Sequence, residues 1–174
     1  MTINCTRLKD VSFSSAYFQA GQQVLAPKTS AIDGYDKSLA GKKVCSAQGS
    51  TAYDALAEES YGAEFEKFTV SNQLDCLVRL QLGEVDAVVT DNALAAGQAA
   101  QDPAVELKGK PFTEEYYGIA AKRGSDDLVR RLNEVLDDYR RGGAASPWMR
   151  AYDDWLKEDL PGIEAPPEAK YRDD

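Results

Sequence analysis

The chain has 174 residues, 43% of them hydrophobic and 28% charged, enough for one domain with a sizeable core or for one whole lobe plus part of another. Its net charge of −9 argues against generic binding to nucleic acid or anionic membranes, and no apolar stretch approaches the length of a membrane span. There is no His, which removes Ser-His-Asp and Cys-His catalysis and the commonest zinc ligand.

In chain order, Val11 to Ala26 is aromatic and then β-branched, and Gly21 to Ala26 reads as a strand running into Pro27-Lys28. A polar loop with Ser30, Asp33 and Gly34 leads to Leu39-Ala40-Gly41-Lys42-Lys43-Val44-Cys45-Ser46, a turn and then a short strand. Ser50 or Thr51 starts a helix to about Glu59, and Thr51 with Asp54 resembles a capping box in which Asp replaces the usual Glu. Phe65 to Val70 reads as a second strand. Between Ser71 and Leu82 the residues Leu74, Leu77 and Val78 share one helical face, and Gly83 is a suitable stop. Val85 to Val89 is a buried strand, and Asp91 to about Gln101 an Ala-rich helix. Alternating strands and helices predict a parallel sheet, whose ligands gather beyond the carboxyl ends of the strands. Gly49-Ser50-Thr51 and Asp91 both fall there.

After Pro103 come an edge segment, Val105-Glu106-Leu107, and a strand from Glu115 to Ala120. Leu128, Val129, Leu132, Val135, Leu136 and Tyr139 form a helical stripe capped near Ser125 and broken by Gly142-Gly143. Arg130-Arg131 and Arg140-Arg141, interrupted by acids, read as a solvated helix face. Pro147 opens a last helix with Trp148, Tyr152 and Trp155 on its apolar side, and the tail from Pro161 reads as disordered or extended over the surface.

Three short runs carry the chemistry. Arg7 supplies a guanidinium, Gln48-Gly49-Ser50-Thr51 a helix N-terminus, and Asp91 a carboxylate after a strand. A guanidinium grips a carboxylate bidentately, free first-turn amides attract an anion, and a carboxylate accepts from an ammonium. Taken singly, each has a plainer reading: a surface Arg, a helix cap at Ser50 or Thr51, and a cap at Asp91. The opening Met1-Thr2-Ile3-Asn4 lacks the basic and apolar regions of a secretory signal. Cys5, Cys45 and Cys76 are too far apart for a zinc ribbon or a redox Cys-x-x-Cys pair, so no metal site is expected.

The order of these motifs resembles the family 3 extracellular solute-binding proteins that deliver polar amino acids to ABC importers. The resemblance is carried by Thr2-Ile3-x-x-x-Arg7, Phe13-Ser14-x-x-Tyr17, Leu39-Ala40-Gly41-Lys42-x-Val44 and Gly49-Ser50-Thr51. It continues in Gly83-x-Val85-Asp86-Ala87-Val88, Tyr117-Gly118-Ile119-Ala120 and Trp155-Leu156. The Cys contexts and Pro-rich tail look most like the actinobacterial glutamate- or glutamine-binding lipoproteins.

The resemblance implies an α/β chain of the type II periplasmic-binding-protein fold. One lobe would be complete, with a parallel-rich sheet, and the other incomplete. Its expected boundaries are 1–18 for the end of lobe 1 and 19–26 for a hinge strand. Lobe 2 would span 27–112, a second hinge strand 113–121, the C-terminal helices of lobe 1 122–158, and a flexible tail 159–174. The opening of lobe 1, the signal and the lipid-anchor Cys would lie ahead of Met1, so the chain is expected to be an N-terminally truncated copy. Such proteins work outside the cell or at its envelope; the chain as given, without an export signal, would stay in the cytoplasm.

The family pattern makes Thr2, Arg7, Gln48, Gly49, Ser50, Thr51, Thr90 and Asp91 the ligand-binding set. It implies closure on a free amino acid, with Arg7 and the amides of Gly49 to Thr51 for the α-carboxylate and Asp91 for the α-ammonium. Asp86 would fix a turn, Tyr116 and Tyr117 would be hinge or core aromatics, and Cys45 with Cys76 is the candidate disulfide, leaving Cys5 over. No cofactor is implied, and the expected partners are the amino acid and an ABC permease. The competing expectations are a fragment that binds nothing tightly and an enzyme of the same fold, such as an amino-acid dehydratase relative.

Overall fold

The computed structural model describes residues 1–57 and 64–171. The chain divides into two compact units, Gly21–Glu114 as one and Met1–Ala20 with Glu115–Asp174 as the other. The contiguous segment is called unit 2 here, the other unit 1.

Unit 2 is built on a five-stranded sheet in the order β5-β4-β6-β3-β7. Its strands are β3 (Gln22–Pro27), β4 (Lys43–Ala47), β5 (Glu66–Val70), β6 (Ala87–Asp91) and β7 (Val105–Lys108). β4 pairs parallel with β5 and β6. β3 pairs antiparallel with both β6 and β7, so it runs against all its companions from an interior position. The sheet is therefore mixed, and the sequence expectation of strand–helix–strand crossovers holds for β4, β5 and β6. β7 is at an edge, as Val105-Glu106-Leu107 suggested.

Alternation along these strands builds two apolar layers. Leu25, Cys45 and Val88 face one side, under Cys76, Leu77 and Leu80 of α2 (Gln73–Gln81) and Ala95 and Ala99 of α3 (Asn92–Ala99). Val24, Ala26, Val44, Ala87 and Val89 face the other, under Ala52 and Leu56 of α1 (Thr51–Ala57) and with Ile32 and Leu39. Leu25, Val24, Val44, Val88 and Val89 are wholly buried, each worth roughly 1.5–3 kcal/mol relative to exposure. The helix expected to about Glu59 is described to Ala57; Glu59 lies outside the described residues. In α2, Leu77 is buried, but Leu74 and Val78 are exposed, which corrects the shared face expected of the three. The inward stripe is instead Cys76, Leu77 and Leu80, one helical position round, because Cys76 is tied to the sheet. The Asn72 side chain caps this helix by accepting from Leu74 N–H at 3.0 Å.

Cys45 of β4 and Cys76 of α2 form a disulfide with Cα atoms 5.7 Å apart, both fully buried; Cys5 is exposed and unbridged. Asp86 accepts the Lys43 N–H at 2.8 Å and lies 3.7 Å from the Lys42 ammonium, fixing the turn into β6.

Unit 1 contains two small antiparallel ladders. β1 (Val11–Phe13) pairs with β9 (Ala120–Lys122), and β2 (Phe18–Ala20) with β8 (Glu115–Tyr117). The single strand expected from Glu115 to Ala120 is thus two, parted at Gly118. A Cβ at Gly118 would come within 2.9 Å of Ile3 Cδ1 and 3.0 Å of Phe13 Cδ1, so the apolar cluster of Ile3, Phe13, Ala16 and Tyr116 closes directly on that backbone.

α4 (Asp126–Arg140) buries only Asn133 and Leu136 among the described residues, leaving Leu128, Val135 and Tyr139 of its stripe exposed. α5 (Pro147–Trp155) starts at Pro147 as expected, capped by the Ser146 hydroxyl on Met149 N–H at 3.2 Å. Trp148 and Tyr152 are buried and Trp148 stacks on Phe18, but Trp155 is 82% exposed. Its spacing is right for the apolar side; the helix ends there, with nothing described packed over it. The tail is extended over unit 1, where Lys170 C=O accepts Ala16 N–H at 2.7 Å and the Lys170 ammonium lies over the Tyr116 ring at 4.3 Å.

Two outcomes follow for stability. Under oxidising conditions the unfolded chain should titrate one thiol, and three after reduction. Reduction should also lower the unfolding free energy by about 3–4 kcal/mol from loop-closure entropy, read as a lower denaturant midpoint. Gly118→Ala should cost roughly 1–3 kcal/mol by overpacking Ile3 and Phe13, read by the same midpoint.

Candidate functional site

The carboxyl ends of β4 and β6 lie on the same side of the sheet, because the two strands are parallel. β4 ends at Ala47 and passes through Gln48-Gly49-Ser50 into α1; β6 ends at Asp91 and enters α3 directly. Gly49 sits at φ +73°, left-handed backbone that suits a residue without Cβ and turns the chain sharply into the helix. Gln48 N–H is held by Val70 C=O at 2.8 Å, and the Gln48 side chain is exposed.

Ser50 is the cap of α1. Its hydroxyl accepts Tyr53 N–H at 3.1 Å and donates to Ala47 C=O at 2.7 Å. The box expected between Thr51 and Asp54 is therefore absent, and Ser50, in reach of both the strand end and the first turn, caps the helix by itself. This releases Thr51, the first helical residue, for a different bond.

Its hydroxyl accepts from the Gln22 side-chain amide at 3.1 Å. The same Gln22 nitrogen donates to Asp91 Oδ1. Gln22 and Asp91 are cross-strand partners in the β3–β6 ladder, so their side chains leave one face of the sheet together. That face is the α1 layer of Val24, Ala26, Ala87 and Val89, and at its end it turns from apolar to polar.

Asp91 occupies the cap position of α3, yet its side chain makes no capping hydrogen bond. The simple capping role is thus absent, and the carboxylate, 8% exposed, is turned to Gln22 instead. Thr90, 3% exposed, alternates to the opposite face with Leu25 and Val88 and does not join the cluster.

In unit 1, Thr2 is buried and forms an antiparallel bridge with Tyr117, while Arg7 begins a short 3-10 turn, Arg7–Lys9. The Arg7 N–H is held by Asn4 Oδ1, and the half-buried guanidinium donates to Thr2 C=O, both at 2.9 Å. A groove of about 670 Å³ also opens in unit 1, lined by residues that include Ile3, Leu8, Val11, Phe13, Arg123 and Arg130; none of the eight ligand-set residues lines it. No cluster of His, Cys, Asp or Glu suited to a metal ion occurs among the described residues.

Of the sequence-derived set, the structure brings Ser50, Thr51 and Asp91 to one end of the unit 2 sheet. The residue that reading missed is Gln22. A signal existed: Gln22-Gln23 opens a strand that otherwise reads Val-Leu-Ala.

In open α/β folds, hydroxyl, carboxylate and turn amides gathered beyond parallel strand ends stand where small polar ligands bind. The chain belongs to the bacterial extracellular solute-binding proteins, family 3, whose profile matches residues 1–158. It is 37% identical over 159 residues to the ABC transporter glutamine-binding protein GlnH of Bacillus subtilis, covering 91% of this chain and 56% of that protein. Among solved structures, an ancestral arginine-binding protein bound to arginine is 33% identical at TM-score 0.76, over 90% of this chain and 69% of that one. The ancestral amino acid-binding protein AncCDT-1, described as a precursor of cyclohexadienyl dehydratase, is 30% identical at the same TM-score, over 90% and 66%. The chain spans about half the length of the curated relatives it matches.

Ser50→Ala should remove the α1 cap at a cost of about 1 kcal/mol, seen as a lower thermal midpoint, whereas Asp54→Ala should move that midpoint much less.

Proposed function

We propose that this chain is the amino-acid-holding part of a solute-binding component that feeds an ABC importer outside the cell membrane. The observation that carries this reading is the cluster of Thr51, Gln22 and Asp91 at the carboxyl ends of β4 and β6, in a chain of this family. In the proposal, Asp91 accepts from the ligand's α-ammonium, while the amides of Gly49 and Thr51 and the Thr51 hydroxyl take the α-carboxylate, the Ser50 N–H being held by Ala47 C=O at 3.2 Å. Gln48 lines the approach. Arg7 and Thr2, in unit 1, are assigned to the ligand on the family resemblance, Arg7 as a bidentate partner of a carboxylate. Thr90 is left out, since it faces the other layer.

Glutamine is the first candidate, supported by the name of the Bacillus subtilis relative, with glutamate next. We read the chain as a binder and not a catalyst. The cluster offers a carboxylate, an amide and a hydroxyl, groups that hold a zwitterion by hydrogen bonds without breaking any bond of it.

Calorimetric titration of this chain with L-glutamine, L-glutamate, L-aspartate, L-arginine and L-histidine tests the reading. A saturable heat with glutamine or glutamate is expected, and no chemical change in the recovered amino acid. Asp91→Ala and Arg7→Lys should each weaken the binding about tenfold or more, because a charge-assisted bond to the ligand is lost. Silence with all five ligands from a chain that melts cooperatively would overturn it.

A further inference from the structure

We propose that Gln22 is a positioning residue, whose side-chain amide locks Thr51 and Asp91 into one rigid unit before any ligand arrives. The inference rests on the binding role proposed above for Thr51 and Asp91, and adds a residue that touches neither end of the ligand.

Three observations carry it. First, Gln22 Nε2 has two hydrogens, and the structure uses them on the two groups in question, Thr51 Oγ1 at 3.1 Å and Asp91 Oδ1. Those groups belong to different elements, the first turn of α1 and the end of β6. A single planar amide therefore fixes a hydroxyl and a carboxylate relative to each other.

Second, Gln22 itself is held from both sides. Its N–H donates to Thr113 Oγ1 at 2.8 Å, its C=O accepts Phe112 N–H at 2.9 Å, and it is the ladder partner of Asp91. The amide is presented from an anchored backbone, not from a mobile side chain on a loop.

Third, its surroundings argue against a packing role. The residues two and four further along β3, Val24 and Ala26, share its face and are apolar, and Gln22 is 0% exposed. Burying an amide in such a layer is costly unless its hydrogen bonds repay it, and an aliphatic side chain would fill the space more cheaply.

The consequence for binding is pre-organisation. With the Gln22 amide on Oδ1, the Asp91 carboxylate is held in a fixed plane and away from the capping position it would otherwise take at α3. With a lone pair of Thr51 Oγ1 engaged, the hydroxyl hydrogen is directed to other acceptors, such as a ligand carboxylate. Ordering both groups in advance removes part of the entropic cost of binding.

The test uses the full chain with Gln22→Leu, Gln22→Glu, Asp91→Asn and the exchanged pair Gln22→Glu with Asp91→Asn, read by thermal melting without ligand and by titration with L-glutamine. Gln22→Leu should weaken glutamine binding about tenfold, because Thr51 and Asp91 must then be ordered as the ligand binds. Gln22→Glu sets two carboxylates together, so its melting temperature should rise on going from pH 7 to pH 4.5 relative to the native chain, as the pair takes up a proton. The exchanged pair restores an amide facing a carboxylate, so its melting temperature at pH 7 should return towards the native value. Its glutamine affinity should stay low, because the charge has moved to the other strand.

The proposal is overturned if the melting effects at positions 22 and 91 simply add, or if Gln22→Leu binds glutamine within about twofold of native. If the native chain gives no heat with glutamine or any other amino acid, the binding role itself fails. The melting cycle then still decides, without ligand, whether Gln22 ties the two groups together.

Discussion

The pairing of β3 against β6 is the constraint on which unit 2 turns. One strand runs backwards in the interior of a sheet whose other members agree in direction, and this sets its first residue opposite the last residue of β6. Gln22 and Asp91 consequently meet at the end of the sheet where α1 and α3 begin. Had β3 run with its neighbours, its opening residue would lie at the far end, and the carboxylate would face an apolar layer with no donor from that strand. The polar cluster is thus a product of topology as much as of residue type.

The same layer shows how a polar cluster and a core are compatible in one face of a sheet. Val24, Ala26, Ala87 and Val89 bury against Ala52 and Leu56, and the pattern changes to amide, carboxylate and hydroxyl only in the last rung. The apolar part holds α1 against the strands, and the position of Thr51 follows from that packing. The disulfide fixes the opposite layer, tying β4 to α2 on the face that carries Cys45 and Cys76. The two helices flanking β4 are therefore held by different means, one by packing and one covalently as well.

Much of this was legible in the chain. The turn at Gln48-Gly49-Ser50, the stop at Gly83 and the start at Pro147 all rest on local backbone chemistry, which a sequence displays directly, whereas the strand expected to end at Val89 runs on to Asp91. Four features were not legible, each for a physical reason. The direction of β3 depends on long-range pairing that no local pattern encodes, and so does the meeting of Gln22 with Thr51 and Asp91, since Gln22 reads in isolation as a polar residue opening a strand. The choice of cap between Ser50 and Thr51 was open, with Asp54 suggesting a box at Thr51, and it is Ser50 that reaches both Ala47 and Tyr53. Helical spacing put Leu74 with Leu77, and Trp155 with Trp148 and Tyr152. Spacing gives a shared direction but not the extent of the surface available to cover it, and both Leu74 and Trp155 stand in solvent.

The ends of unit 2 carry a consequence for how the polypeptide acquires its shape. Unit 1 is assembled from two stretches that Gly21–Glu114 separates along the chain. Within unit 2, however, Gln22 N–H is bonded to Thr113 Oγ1, and a Cβ at Gly21 would collide with Thr113 C=O. Once the five strands have formed, entry and exit of this insert are therefore neighbours, and the long loop that the flanking stretches would otherwise have to close is already shut. The β2–β8 ladder, which begins at Ala20 and Glu115, can then zip outward from that junction as though it were a hairpin.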